Sequence, residues 1–143
     1  MRKVAVITDA VSPEFWFPFW YEYYSRELGA ENLHVFTYRG LSGQFGGYAL
    51  GSLREIPHDY DDALRARVVS DAAAALLSTH DVVLRADTDE MLVADPARYA
   101  NLAAYAQSVT LPYVTARGFN VAALNAWGNP LHPDVETAGQ SYE

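Results

Sequence analysis

The sequence predicts an α/β protein with a Rossmann-like, mostly parallel sheet flanked by helices, and three features lead to that prediction. Short apolar runs, such as residues 4–7, alternate with longer stretches of helical periodicity. Uninterrupted apolar strands are typical of parallel sheets, which are buried on both faces. Acidic residues follow two of these runs, at Asp9 and at Asp87. Strands that alternate with helices favour a single layered sheet.

Composition sets limits on the class of protein. The chain of 143 residues is 50% hydrophobic and has a net charge of −8, which fits one globular domain over residues 1–143. A negative charge argues against binding to nucleic acid or to anionic membranes. The absence of cysteine excludes disulfides, zinc–thiolate sites and thiol catalysis.

Membrane and export segments are not expected. No apolar window reaches the roughly 18 residues of a transmembrane helix, and the apolar run before Asp9 is too short for a signal peptide. We therefore expect a cytoplasmic chain. Its many tyrosines and tryptophans would allow an apolar interface in a homo-oligomer.

The first third of the chain reads as strand, helix, strand. Residues 4–7 form the first strand, and Ser12 with Pro13 begins a short turn before a main helix from about Pro18. Gly29 is placed to end that helix. Aromatic residues at every fourth position predict a wide face that packs in the core, with a sugar-stacking platform as the alternative; these residues are Phe15, Trp16, Phe19, Trp20, Tyr23 and Tyr24.

The middle of the chain contains a second strand, a loop and the longest helix. Residues 33–38 should pair in parallel with the first strand. The glycine-rich residues 39–52 lack the lysine of a P-loop, and are either a mobile connection or a nucleotide-contacting loop. Residues 59–79 form a helix whose early acids cap it. Arg65 and Arg67 lie on its solvated face, unless one of them reaches a phosphate.

The acidic run near residue 87 is the most informative motif. An apolar stretch precedes Asp87, Asp89 and Glu90, and another follows them, so we expect a strand that enters and a strand that leaves. In an extended segment Asp87 and Asp89 point the same way, roughly 6–7 Å apart, and Thr88 points the other way. This spacing suits two oxygen ligands of one divalent cation.

The topology should bring the acids together. If the strand before Asp87 adds to the opposite side of the first strand from residues 33–38, the first strand lies where the strand order reverses. Ligands of open α/β sheets bind at that position. Asp9, Asp87 and Asp89 should therefore surround one crevice.

The stretch 83–96, with Asp87-Thr88-Asp89-Glu90 at its centre, resembles the D-x-D-E region of glycosyltransferases of the GT-A fold, in the family 2-like group. Residues 19–24 and 28–36 resemble the first helix and second strand of those enzymes, and the similarity covers roughly residues 3–125.

The resemblance implies transfer of a sugar from a nucleoside diphosphate sugar to a hydroxyl acceptor, with Mn²⁺ or Mg²⁺ as cofactor. It implies that Asp89 binds the metal, that Asp87 contacts the ribose or the metal, and that Asp9 contacts the base or ribose. It also suggests His132 as a third metal ligand. A general base would come from the later acids, Asp134 or Glu136.

The remainder of the chain departs from that pattern. Asp95 with Pro96 should begin a helix to about Ser108, and residues 113–116 and 120–123 read as strands. A loop-rich tail follows, so the part that would build the acceptor site is short or missing.

Two other functions compete with the transferase. A non-catalytic nucleotide-sugar or metal-binding domain would need only the first half of the fold. A phosphatase with an aspartyl nucleophile would use Asp9, but the second acid expected two residues later is replaced by Val11.

Overall fold

A four-stranded parallel sheet with helices on both faces organises the computed structural model, which describes residues 2–119. This confirms the predicted α/β class and is consistent with a Rossmann-like fold. The strands are β1 (Val4–Asp9), β2 (Leu33–Tyr38), β3 (Ser52–Ile56) and β4 (Val82–Arg85). The helices are α1 (Trp16–Leu28), α2 (Asp62–Leu76) and α3 (Leu102–Ser108).

The strand order is β3-β2-β1-β4, so the chain reverses its direction across the sheet at β1. Val6 of β1 is in register with Leu33 of β2, and Val4 is in register with Val82 of β4. All residues of β1 and β2 are buried. The predicted central position of the first strand is therefore confirmed.

The helices pack on opposite sides of the sheet. Val6 belongs to a hydrophobic cluster that contains Trp20 of α1. Its neighbour Ile7 belongs to a second cluster, which contains Val69 of α2. Successive side chains of a strand point to opposite faces, so α1 and α2 cover different faces.

Helix α1 begins at Trp16, two residues before the predicted start at Pro18. Proline is tolerated in the first turn of a helix because the amide there needs no intrahelical partner. Gly29 ends the helix with a φ of 88°, and its N–H donates to the carbonyl of Ser25 at 2.9 Å. Glycine adopts this backbone conformation without the steric cost of a Cβ.

The aromatic face of α1 differs from the prediction. The inward residues are Phe17, Trp20 and Tyr24, whereas Phe15 and Phe19 are 74% and 60% exposed. Of the predicted aromatic face, Trp20 and Tyr24 are therefore the residues buried in the core. The actual stripe follows the i, i+3, i+7 spacing of a helix face.

Helix α2 is shorter than the predicted 59–79 helix and begins after Asp61. The side chain of Asp61 accepts a hydrogen bond from the Leu64 N–H at 2.8 Å, which confirms a capping role in this acidic group. Strand β3 was not predicted. It is an edge strand that contains Arg54 and Glu55, so it lacks the apolar run of the central strands.

The glycine-rich loop between β2 and β3 is anchored by aromatic packing. Phe45 is buried, and its ring centroid lies 5.0 Å from that of Phe17 in α1. Tyr48 also packs against Phe17, with a centroid distance of 4.9 Å. The loop therefore has a structural role beside α1.

Two predicted strands after β4, and the start of one predicted helix, are wrong. Residues 91–93 form no strand, because the side chains of Met91 and Leu92 pack on the α1 cluster from an irregular segment. Asp95 caps only a single turn, and α3 begins separately after Asn101. Residues 113–116 have no regular structure, and the strand predicted over 120–123 lies outside the described residues.

The chain divides into two compact units, Met1–Val109 and Thr110–Glu143. The first contains the whole sheet and all three helices. In the second, residues 110–119 contain no helix or strand. Within residues 2–119, none of the helices has the length and apolar character needed to cross a bilayer.

Candidate functional site

A crevice opens at the carboxyl ends of β1 and β4, where the strand order reverses. Its volume is about 200 Å³. The lining residues belong to the end of β1, to the segments that follow β1 and β4, and to the starts of α1 and α2. It consists of Asp9, Ala10, Val11, Trp16, Tyr60, Arg65, Asp87, Thr88 and Asp89. The predicted meeting of Asp9, Asp87 and Asp89 around one crevice is therefore present.

Asp9 forms the buried floor of the crevice. It is the last residue of β1, and its side chain is 5% exposed. The Arg65 Nε donates to both of its carboxylate oxygens, at 2.8 and 2.9 Å. The Tyr38 hydroxyl donates to Oδ2 at 2.7 Å. These donors offset the cost of burying a carboxylate.

Tyr38 ends β2, the strand next to β1. Burial, followed by the hydrogen bond to Asp9, raises the pKa of Tyr38 above its ordinary value. The hydroxyl therefore stays protonated and acts as a donor to Asp9. The rule that placed Asp9 at the carboxyl edge of the sheet also applies to Tyr38, but sequence analysis did not select it.

Arg65 connects the two acids that follow β1 and β4. Besides Asp9, its Nη2 donates to Asp87 Oδ1 at 2.5 Å. The hydrogen bond to Asp87, and then that to Asp9, raises the pKa of Arg65 above its ordinary value. Arg65 is therefore a charged part of the site, whereas Arg67 is exposed. The predicted solvated face is correct for Arg67 and wrong for Arg65.

The acid turn, residues 87–90, replaces the extended segment that was predicted. The Glu90 N–H donates to the Asp87 carbonyl at 2.9 Å, and the Glu90 carboxylate accepts from the Asp87 N–H at 3.1 Å. Because the backbone turns here, Thr88 lines the crevice together with Asp87 and Asp89. The expectation that Thr88 points away is therefore wrong.

Helix α1 holds the acid turn from behind. The Tyr24 hydroxyl donates to the Glu90 carbonyl at 3.2 Å and accepts from the Leu92 N–H at 2.9 Å. The Tyr23 hydroxyl donates to the Leu92 carbonyl at 2.7 Å. Burial raises the pKa of Tyr24, so this hydroxyl remains protonated. These contacts fix the segment that carries Asp87 and Asp89.

The donor set fits a cation that is shared with a ligand. Within residues 2–119, no three Asp, Glu or His side chains lie close enough together to form a metal site by themselves. Asp89 is exposed, and Asp87 uses one oxygen for Arg65. Mg²⁺ is commonly bound by one or two carboxylates together with substrate phosphates and water. Asp87 and Asp89 are the crevice residues that could serve as those carboxylates.

Asp9 is poorly placed to act as a nucleophile. Both of its oxygens accept hydrogen bonds from Arg65, and one also accepts from Tyr38. Val11, which stands where the second acid of an aspartyl phosphatase is expected, lines the crevice as an apolar residue. The geometry therefore disfavours a nucleophilic role for Asp9.

The remaining predicted site residues lie outside the described part of the chain. These are the metal-ligand candidate His132 and the candidate general bases Asp134 and Glu136. Sequence analysis did not assign Tyr60 to the site. Its place directly before the capping acid Asp61 puts it at the same edge of the sheet as the strand ends.

Comparisons with protein-family models, with curated proteins and with solved structures found no match to this chain.

Proposed function

We propose that this chain is a GT-A type glycosyltransferase that binds a nucleoside diphosphate sugar together with Mn²⁺ or Mg²⁺ and transfers the sugar to a hydroxyl acceptor. One observation carries the proposal: Asp9, Asp87 and Asp89 line a single crevice at the point where the strand order reverses. Open α/β sheets bind their ligands at this point.

The charged residues of the crevice each have a proposed role that follows from their surroundings. Asp9 is buried and fixed by two donors, so it accepts hydrogen bonds from the nucleoside without moving. Asp89 and the second oxygen of Asp87 would hold the cation, which when bound neutralises the departing diphosphate. Arg65 supplies a positive charge beside them.

The net charge of the chain supports a need for that cation. At −8, the protein repels an anionic ligand at long range. Arg65 is already paired with two carboxylates. A divalent cation at Asp89 would therefore provide the additional positive charge that a diphosphate requires.

The second candidate is a domain that binds the same ligand without transferring the sugar. Two of the three crevice acids, Asp9 and Asp87, are paired with Arg65, which favours binding over proton transfer for these two residues. The two candidates share the crevice and differ only in turnover. Asp134 and Glu136 remain the predicted general bases of the transferase.

Titration with nucleoside diphosphates in the presence of Mn²⁺ tests both candidates. We expect Asp89→Ala to weaken Mn²⁺-dependent binding at least tenfold, about 1.4 kcal/mol, because it removes the exposed carboxylate. Glu14→Ala, which removes an exposed acid that does not line the crevice, is the matched control. Unchanged binding by Asp89→Ala would contradict both candidates.

An assay of donor hydrolysis separates the transferase from the non-catalytic domain. Release of free sugar from a nucleoside diphosphate sugar, measured with and without Mn²⁺, indicates a transferase site. Binding without any release of sugar or transfer to an acceptor indicates the non-catalytic domain.

A further inference from the structure

Two half-exposed aromatic side chains, Trp16 and Tyr60, line the crevice. Trp16 is the first residue of α1, and Tyr60 stands just before the cap of α2. Both line the crevice and both are 50% exposed. Because α1 and α2 cover different faces of the sheet, the two rings reach the crevice from opposite sides.

The Tyr60 ring is held in place by two contacts. Its hydroxyl donates to Asp62 Oδ1 at 2.5 Å, and its ring centroid lies 5.3 Å from that of Tyr38. Tyr38 is in turn bonded to Asp9 on the floor of the crevice. Tyr38 therefore links the Tyr60 ring to Asp9.

Trp16 is also held by its neighbour. The Phe15 ring packs edge-on against it, with a centroid distance of 4.9 Å. Phe15 has a φ of 57°, which is uncommon for a residue other than glycine. This backbone conformation immediately precedes Trp16 and sets where the indole enters the crevice.

Single exposed aromatic residues on a protein surface need no explanation. Two exposed rings that line one crevice together with a carboxylate suit a flat group with two apolar faces and polar edges. A nucleobase has this form. Bases stack on aromatic side chains irrespective of their identity.

We infer that Trp16 and Tyr60 clamp the nucleobase of the ligand between them, with Asp9 below as the acceptor for its polar edge or for the ribose. This inference rests on the proposed function and adds the residues that recognise the nucleoside. It assigns the base to the two aromatic rings and the diphosphate to the side of Asp87 and Asp89.

The test compares ligands with and without a base. Calorimetric titrations with UDP, CDP, ADP and GDP, and with inorganic pyrophosphate, are run in Mn²⁺ on the full chain. Trp16→Ala and Tyr60→Ala should each weaken the tightest nucleoside diphosphate by about tenfold. Neither substitution should change the affinity for pyrophosphate by more than about twofold, because that ligand has no ring to stack.

Two further variants serve as controls. Trp16→Phe keeps an aromatic ring and should restore most of the affinity, which separates stacking from a folding defect. Phe19→Ala removes an exposed aromatic side chain of α1 that does not line the crevice, and should bind nucleoside diphosphates as the unaltered chain does.

The outcomes distinguish the inference from the proposed function. Tight binding of a nucleoside diphosphate that survives both Trp16→Ala and Tyr60→Ala overturns the clamp and leaves the transferase proposal standing. Equal losses for pyrophosphate and nucleoside diphosphates also overturn the clamp, since the rings would then act on the whole site. Failure of every nucleoside diphosphate to bind overturns both.

Discussion

Arg65 is the residue on which the charge balance of the crevice depends. It neutralises a nearly fully buried carboxylate, Asp9, and also bonds to the more exposed Asp87. Removing one partner of a buried ion pair is costly, because the other charge is left without compensation. The arginine therefore contributes to the fold, in addition to the binding role proposed above.

Replacing Arg65 by methionine tests that contribution. Methionine keeps the apolar stem but removes the donors to Asp9 and Asp87, so we expect the free energy of unfolding to fall by about 2 kcal/mol. Urea denaturation measures the change. Arg67→Met is the matched control on the exposed side of the same helix, and it should stay within about 0.5 kcal/mol. Equal effects of the two substitutions would contradict a structural role for Arg65.

At the scale of elements, the acid turn depends on α1 for its position. Tyr24 lies in the core, and its hydroxyl bonds both to the turn at Glu90 and to Leu92 beyond it. The helix that packs the first hydrophobic cluster therefore also places Asp87 and Asp89. A substitution among the buried residues of this cluster should therefore shift the acid turn at the crevice.

Tyr24→Phe removes only the hydroxyl and leaves the ring in the core. The Leu92 N–H then loses its acceptor, and we expect a decrease of about 1–2 kcal/mol in the free energy of unfolding. Hydrogen exchange at Leu92 should become faster. Tyr21→Phe, on the same helix, is the control, because no described residue bonds to the Tyr21 hydroxyl. A slow, unchanged exchange rate at Leu92 in Tyr24→Phe would rule out this anchoring.

Much of the site could be predicted from the order of its elements. An apolar run that ends in Asp9 and another that leads to Asp87 are enough to place two acids at one edge of a parallel sheet. The detailed shape could not be predicted, since the apolar residues 91–93 look like a strand. The side chains of Met91 and Leu92 pack on the α1 cluster from an irregular segment, whereas Val93 is exposed, and this arrangement depends on tertiary contacts.

The role of Arg65 was hidden for a similar reason. An arginine near the start of a helix usually faces solvent, and the spacing of apolar residues in α2 does not indicate that its side chain reaches β1 and β4. Strand β3 escaped prediction because an edge strand requires fewer apolar residues than a central one. In both cases the missing information was which elements become neighbours.

At the scale of the whole molecule, the two ends of the sheet carry different ionisable groups. The carboxyl end carries the acids and Arg65. Nearer the other end, His34 of β2 is 8% exposed, and its Nδ1 lies 2.8 Å from the Ser52 Oγ at the start of β3. The His80 ring is 5.4 Å away. Burial, and then the charge of His80, lowers the pKa of His34.

We expect this shift to make the free energy of unfolding decrease in acid. The folded chain disfavours protonated His34, so the unfolded chain binds more protons below the ordinary histidine pKa of about 6.5. The contribution of neutral His34 to stability is complete above that pH and declines as the pH falls through it. Urea denaturation from about pH 8 to about pH 5, a range that spans that pKa, measures the effect. The free energy of unfolding should fall more steeply with decreasing pH in the unaltered chain than in His34→Gln.

His58→Gln is the control for the substitution itself, because His58 is exposed. The absolute stability of His34→Gln is not the readout, since that substitution also alters packing. If the slopes of His34→Gln and the unaltered chain coincide, the buried histidine does not cause the acid sensitivity.

The position of Trp16 and Tyr60 at the starts of helices on opposite faces has a mechanical consequence. The sheet separates the layers that contain these helices, and the acid turn, which bonds to Tyr24 of α1 and to Arg65 of α2, links them at one edge. A molecule wedged between the two rings would join the layers across the rim of the sheet. Its arrival would then be detected far from the rim, as slower amide exchange along both helices at once.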